Sequence, residues 1–167
     1  GNVLSYSYSN NWNNDRVVPI RIKKVGPDGE PLDAVFHISQ NGELKSIVET
    51  KAENDGIGII DLTNLSLYYS TGGGYSGSIE VEEISVDSNY VCSGEKFTIN
   101  FNSSGNVYIS GSSSKVTYST EYDDKIERNV CVVTVRNDKK NTDFYMKKEG
   151  VGEDYVFAQI TIDVYKK

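Results

Sequence analysis

The sequence predicts an all-β fold, a Greek-key β-sandwich, from three observations. Apolar and polar residues alternate over many short runs, the period-2 pattern of strands with one buried face. Clusters of turn residues separate these runs, among them Pro27-Asp28-Gly29, Asn41-Gly42 and Gly72-Gly73-Gly74. No segment carries a long apolar stripe at helical spacing. Short strands with turns at this density are typical of a two-sheet sandwich.

Nine runs are predicted as strands from their alternation and from their β-branched and aromatic residues. In chain order they span Val17 to Val25, Ala34 to Ser39, Ile57 to Leu62, Ser78 to Val86, Lys96 to Phe101, Val107 to Ser110, Val116 to Tyr122, Val130 to Asn137 and Phe157 to Tyr165. The 167 residues suffice for one core of ordinary size plus extra strands or a linker.

We divide the chain into three parts. Residues 1–16 are an N-terminal extension or linker, residues 17–140 a β-sandwich domain, and residues 141–167 additional strands or the start of a following domain. The segment 162–166 resembles the segment 20–24, so it is either the first strand of a next domain or an extra strand of this one. The chain has no apolar run of about 18 residues and no signal-peptide-like segment, so it looks like a piece of a longer protein.

Three polar residues are predicted to point into the core. Along its strand, Lys24 has the same parity as the two isoleucines that precede it. Glu83 has the parity of the isoleucine and the valine before it, and Asn137 has that of two preceding valines. Because unpaired buried charges cost several kcal/mol, we expect these three side chains to meet and to satisfy one another.

Two further glutamates share the strand of Glu83. Glu80 and Glu82 have the opposite parity, so a regular strand sends both outward. Only a β-bulge would turn Glu82 inward. Parity therefore predicts that Glu83 is the glutamate of this strand that points into the core.

An amine, a carboxyl group and a carboxamide in one apolar site allow a specific reaction. Burial lowers the pKa of a lysine toward the free base, the form in which Lys24 attacks a carboxamide. Burial raises the pKa of a carboxyl, so we expect a protonated Glu83 that donates to the Asn137 carbonyl and carries protons to the departing ammonia. The product is an amide bond between Lys24 and Asn137, formed once per molecule without turnover. The alternative is a buried Lys24–Glu83 ion pair hydrogen-bonded to Asn137.

Four stretches of the sequence carry a resemblance to a known family. Residues 24–36 have the form of an opening strand, a tight turn and a second strand, and residues 55–62 that of a glycine-led strand. Glu83 with Tyr90 seven residues later, and the closing residues 133–137, complete the set. Together they resemble the CnaB-type (SpaA-like, prealbumin-like) domains of Gram-positive pilins and surface adhesins.

This resemblance covers roughly residues 18 to 138 and implies a reverse-Ig, transthyretin-like form of the sandwich. It also implies an isopeptide bond between Lys24 and Asn137, with Glu83 as the catalytic residue. By the same resemblance, the chain is expected to be a structural or adhesive module at the bacterial cell surface, held to the cell wall through a parent chain. Its expected partners are neighbouring domains of that surface protein or pilus.

The two cysteines, Cys92 and Cys131, form an even pair in a chain expected to be extracellular, which permits a disulfide bond. Cys131 shares its face with Val133 and Val135, so a buried free thiol is the alternative. Neither cysteine has a CxxC spacing or a nearby histidine, so we expect neither zinc binding nor nucleophilic catalysis.

Composition and charge argue against several function classes. The net charge is -7 and no basic cluster extends beyond pairs, which disfavours a nucleic-acid or an anionic-membrane partner. The single histidine, His37, lies between two inward-facing residues and is expected to point to solvent, so no catalytic triad is predicted. The acidic pairs lack the pattern of a calcium loop, and we expect no metal and no cofactor.

A ligand-binding module is the second function class. The Gly-rich segment 68–77, with Tyr69 and Tyr75, and the Tyr- and Asn-rich N-terminus around Trp12 are the candidate contacts for a host glycan or protein. Both functions fit one fold, because binding residues lie on loops that a rigid scaffold positions.

Overall fold

The computed structural model describes residues 18–69, 75–102, 106–141, 143–145 and 159–161. Within them the chain forms β-strands and one short 3-10 helix, Ala52–Asn54, and the strands build two large sheets around a shared core. The predicted all-β sandwich is confirmed. No helix in this described part is long and apolar enough to cross a membrane.

The strands of the described residues follow one another along the chain as β1 (Ile20–Val25), β2 (Ala34–Gln40), β3 (Glu43–Thr50), β4 (Ile57–Ile59), β5 (Tyr68–Tyr69), β6 (Tyr75–Val86), β7 (Lys96–Phe101), β8 (Val107–Ser110), β9 (Val116–Asp123), β10 (Arg128–Arg136), β11 (Asp143–Tyr145) and β12 (Gln159–Thr161).

The first sheet has the strand order β4-β1-β10-β9. Strands β1 and β10 are parallel neighbours, with Lys24 opposite Val135, whereas the other pairs in this sheet are antiparallel. The parallel pairing brings the carboxyl ends of β1 and β10 side by side, and this is the end of the sheet at which Lys24 and Asn137 lie.

The second sheet has the order β3-β2-β6-β7-β8, with β5 paired to the start of β6, and it is antiparallel throughout. Strands β11 and β12 form a separate two-stranded sheet. Of the strand predicted from Phe157 to Tyr165, the structure describes β12, which pairs with residues 143–145. The division of the chain at residue 140 stays a prediction.

Period-2 alternation explains how the strands build the core. Strand β2 buries every second residue from Ala34 to Gln40, and His37 lies on its opposite, half-exposed face. Each fully buried aliphatic or aromatic side chain stabilises the fold by roughly 1.5–3 kcal/mol relative to exposure. Both sheets contribute such residues, among them Ile20, Ile22, Phe36, Ile38, Ile79, Val81, Phe97, Ile99, Val133 and Val135.

The alternation did not predict strand β3. It follows the turn at Asn41 and Gly42, whose φ angles of 54° and 78° are those of a two-residue hairpin loop. At the edge of its sheet β3 buries only Val48 and Thr50, so the sequence carries little alternation there. Strand β4 is also shorter than predicted, since it ends at Ile59.

Candidate functional site

Backbone hydrogen bonds fix Lys24 near the end of β1. Its N–H donates to the Gly56 carbonyl at 2.8 Å, and its carbonyl accepts from the Leu32 N–H at 3.0 Å. Gly56 has a φ of 70°, and a Cβ at this position would lie 2.4 Å from the Lys24 carbonyl oxygen, so the approach requires glycine. The Lys24 side chain is fully buried, as its parity predicts.

Glu83 occupies an inward position of β6, as its parity predicts. Its N–H donates to the Glu95 carbonyl at 2.8 Å, and only 2% of its surface is exposed. Glu80 and Glu82 are exposed. The register between β2 and β6 shifts at the residue after Glu83, so the β-bulge does not turn Glu82 inward.

Asn137 comes directly after β10. Its N–H donates to the Val25 carbonyl at 3.0 Å, which continues the pairing of β1 with β10 by one residue. Its side chain is fully buried. Strand β1, strand β6 and the residue that follows β10 thus place the amine, the carboxyl and the carboxamide close together.

The three side chains contact one another inside the protein. The Lys24 Nζ lies 2.5 Å from Glu83 Oε2 and also donates a hydrogen bond to Asn137 Oδ1. Asn137 Nδ2 donates to Glu83 Oε1 at 2.9 Å. Because a C=O bond is only about 1.2 Å long, a Nζ in hydrogen-bond contact with Oδ1 lies within about 4 Å of the Asn137 carbonyl carbon.

The segment between β6 and β7 supplies three further contacts that sequence analysis missed. The Val91 carbonyl accepts from Asn137 Nδ2 at 2.8 Å, and the Ser93 N–H donates to Glu83 Oε1 at 3.1 Å. The Cys92 Sγ lies 3.4 Å from the same Glu83 oxygen. Two of these contacts use backbone groups, for which the residue types carry no signal.

The pKa shifts of Lys24 and Glu83 follow from this geometry. Burial lowers the pKa of Lys24 by more than its hydrogen bond and attraction to Glu83 raise it. For Glu83, burial alone raises the pKa, but the hydrogen bonds from Lys24 and Asn137 outweigh it, and the carboxyl pKa is lowered. Burial therefore favours the neutral amine of Lys24, whereas the hydrogen bonds that Glu83 accepts favour its carboxylate.

Two expectations about Glu83 are thereby corrected. We expected burial to keep the carboxyl protonated, but every neighbour donates to it, so the carboxylate form is favoured. We also expected Glu83 to donate to the Asn137 carbonyl. Instead Oδ1 faces Lys24, and Glu83 Oε1 faces the amide nitrogen.

The disulfide between Cys92 and Cys131 is not formed, and both thiols are free. Cys92 contacts Glu83, which in turn contacts Asn137. Cys131 lies six residues before Asn137 along β10, a distance of roughly 20 Å at about 3.3 Å per residue. A disulfide requires Cα atoms within about 7 Å, so the two cysteines sit at opposite ends of the sandwich and cannot join.

Thiol labelling checks this placement. We expect a thiol reagent to modify Cys92 in the native protein and to leave Cys131 unreacted. The reason is that Cys131 is 2% exposed and its burial raises its pKa to about 11. After denaturation without reductant, both residues should react. A denatured, unreduced chain with no reactive thiol would show that Cys92 and Cys131 are joined.

The candidate ligand contacts are less completely placed. Trp12 lies outside the described residues. The backbones of Tyr69 and Tyr75 pair with each other across the β5–β6 ladder, so both ends of the Gly-rich segment lie on paired strands. The role of these three residues in binding stays a prediction. In the described part of the chain, no group of three or more His, Cys, Asp or Glu side chains could hold a metal ion.

Comparison with known proteins shows the fold. No family model matches the chain, and no curated protein sequence matches it either. The crystal structure of the C-terminal fragment of pilus adhesin SpaC from Lactobacillus rhamnosus GG is similar, with a TM-score of 0.52 and 17% identity over 75% of this chain. The chain spans 46% of the length of that fragment. The pilus adhesin RrgA from Streptococcus pneumoniae matches with a TM-score of 0.42 and 17% identity, over 83% of this chain and 15% of that one.

Proposed function

We propose that this chain is a structural module of a bacterial surface adhesin or pilus, a CnaB-type β-sandwich that joins Lys24 to Asn137 by an autocatalytic isopeptide bond. The observation that carries the proposal is the buried contact of Lys24, Glu83 and Asn137. A buried ion pair alone is a weak source of stability, because the loss of hydration offsets most of the attraction between the charges. A covalent bond between Lys24 and Asn137 would explain why the domain buries these two charged side chains and the carboxamide together.

The geometry supports a proton shuttle through the two oxygens of Glu83. The proton on Nζ passes to Oε2, which leaves a neutral amine with a free electron pair. Nζ then bonds to the carbonyl carbon of Asn137, and the carbonyl electrons move to Oδ1. When they return, Glu83 gives the proton it has taken to Nδ2, and the bond from that carbon to Nδ2 breaks. The attacking nitrogen still carries one proton more than an amide holds, and the Glu83 carboxylate takes up that second proton. An amine and a carboxamide thus give a secondary amide and ammonia.

The fold contributes proximity to this reaction. Fixing the amine beside the carboxamide replaces a bimolecular encounter, an effect worth roughly 7–11 kcal/mol in favourable intramolecular cases. The three side chains are almost completely buried, so water has little access to the Asn137 carbonyl carbon as a nucleophile in competition with the Lys24 amine. Because the reaction consumes its own side chains, the protein is not an enzyme with turnover.

The wider assignment rests on fold and sequence together. The likeness of the fold to a fragment of a pilus adhesin supports a place in a larger surface protein, with neighbouring domains as partners. Residues 17–140 would form the cross-linked domain, with 1–16 as an extension or linker and 141–167 as added strands or the next domain. The module would then be extracellular, attached to the cell wall through its parent chain.

A ligand-binding module without the bond is the second candidate. It is favoured by tyrosines that lie on the surface, since a tyrosine ring offers both apolar area and a hydroxyl to a glycan or protein. Tyr68 is 65% exposed and Tyr122 is 62% exposed.

Intact-mass measurement tests the proposal. We expect the purified chain to be lighter than its sequence by one ammonia, because Nδ2 leaves when the bond forms. Proteolysis should then yield one branched peptide that contains both Lys24 and Asn137. A chain of unmodified mass would reduce the site to a buried ion pair and favour the ligand-binding module.

A further inference from the structure

The segment 87–93, between β6 and β7, covers the amide of Asn137. The Val91 carbonyl accepts one of the two Nδ2 hydrogens, and Glu83 Oε1 accepts the other. The Val91 N–H in turn donates to the Asp138 carbonyl at 2.8 Å, which ties the segment to the chain just after Asn137.

This arrangement selects one of the two orientations of the amide. With both hydrogens of Nδ2 taken, Oδ1 points to Lys24, which places the carbonyl carbon next to the amine. If the amide were turned by half a rotation, Oδ1 would face the Val91 carbonyl and the Glu83 carboxylate, and Nδ2 would face the Lys24 amine. Acceptor would then meet acceptor and donor would meet donor. The Val91 carbonyl thus favours the reactive orientation.

Tyr90 fixes the segment in place. Only 8% of this residue is exposed, and its hydroxyl donates to Glu30 Oε1 at 2.9 Å. Burial and the Glu30 carboxylate raise the pKa of Tyr90 to about 12, so the hydroxyl remains a donor at neutral pH. Glu30 lies in the turn that follows β1, the strand of Lys24, and its Oε2 accepts from the Asp28 N–H at 2.9 Å.

The turn is built to hold the Glu30 carboxylate. A Cβ on Gly26 would lie 2.2 Å from Glu30 Oε1, so the carboxylate rests directly on the glycine. The Gly26 N–H donates to the Glu30 carbonyl at 2.8 Å and closes the turn. The hydrogen bond from Tyr90 to Glu30 therefore connects a rigid turn, next to the nucleophile, with the segment that orients the acceptor.

We propose that the Tyr90–Glu30 hydrogen bond is a positioning device for the cross-linking reaction: it holds the Val91 carbonyl against Asn137 and so keeps the amide in its reactive orientation. This inference rests on the proposed function. Tyr90 and Glu30 touch none of the reacting atoms, so both are positioning residues.

The test compares the rates at which newly made chains lose ammonia. Chains are produced by cell-free synthesis, synthesis is stopped, and samples are quenched in acid and weighed by intact-mass spectrometry. We expect Tyr90→Phe, which keeps the ring, to slow the loss by about 10- to 100-fold, the range that small misplacements of reacting groups produce. Glu30→Ala should slow it similarly, and the double variant should be little slower than the single ones, because both remove the same interaction.

Thr50→Val is the matched control. The Thr50 hydroxyl is fully buried and donates to the Leu32 carbonyl at 2.8 Å, a hydrogen bond that involves neither the segment 87–93 nor the three reacting residues. We expect this variant to lose stability and to keep the wild-type rate at a temperature at which it is folded. If Thr50→Val and Tyr90→Phe slow the reaction equally, or if Tyr90→Phe keeps the wild-type rate, the positioning role is overturned.

A second readout follows the amide itself in chains that cannot react. In a Lys24→Met background, exchange of the Asn137 Nδ2 hydrogens with solvent should be slow by NMR, and adding Tyr90→Phe should accelerate it several-fold. Equal exchange in the two proteins would contradict the inference. Failure of the proposed function would give a different result, since the wild-type chain itself would then never lose ammonia.

Discussion

Replacing Glu83 by glutamine should leave Lys24 and Asn137 unlinked. We expect the Glu83→Gln chain to fold and to keep the full mass of its sequence, with bond formation slower by roughly 10²–10⁴-fold, the usual contribution of a general acid–base group. Glutamine has the size of glutamate, but it cannot accept a proton from Nζ or deliver one to Nδ2. Intact mass over several days of incubation measures the effect.

The variant separates two roles of Glu83. Removing the carboxylate also removes the interaction that raises the pKa of Lys24, so more of the amine becomes neutral. If deprotonation of Lys24 alone limited the reaction, Glu83→Gln would react faster than the wild type. A slower reaction instead points to proton delivery to the leaving nitrogen, for which Glu83 Oε1 stands 2.9 Å away.

Glu82→Gln is the control for this experiment. Glu82 directly precedes Glu83 along β6, is exposed, and has the opposite parity. We expect this variant to lose ammonia at the wild-type rate. If Glu82→Gln prevented the loss of ammonia while Glu83→Gln lost it at the wild-type rate, the assignment of Glu83 would be wrong.

Parity along the strands was sufficient to predict which polar residues meet. Lys24, Glu83 and Asn137 each continue an alternation of strongly apolar residues, and all three are buried and in contact. The prediction holds for Asn137 even though it lies one residue beyond β10, because its backbone still pairs with Val25. Side-chain alternation persists as long as the backbone stays extended.

The sequence could not predict the features that depend on backbone groups or on several neighbours at once. The Val91 carbonyl and the Ser93 N–H act through atoms that every residue carries. The titration of Glu83 depends on how many donors surround it, and burial alone gives the wrong direction. Strand β3 was missed because an edge strand with few buried residues has little reason to alternate.

The position of the proposed bond determines how the domain responds to force. A pull on the two chain ends enters at the start of β1 and leaves after the end of β10, and these strands are parallel neighbours. Without the bond, the force shears the backbone hydrogen bonds of the β1–β10 pair. With the bond, the force passes from Lys24 directly to Asn137, and the 113 positions that separate them along the chain carry no load.

Single-molecule stretching should therefore give a large difference between the wild type and Lys24→Ala. The wild-type domain should extend by little more than its tails, whereas Lys24→Ala should release a contour length of about 370–410 Å, from about 3.3–3.6 Å per residue over the 113 positions. The variant should also be less stable by roughly 4–5 kcal/mol, because the bond no longer restricts the unfolded chain. Lys23→Ala is the control, since Lys23 lies on the opposite face of β1 and should leave the short extension unchanged. Equal, long extensions in wild type and Lys24→Ala would mean that no covalent link carries the load, and the exposed tyrosines of the surface would then be the better guide to what this module does.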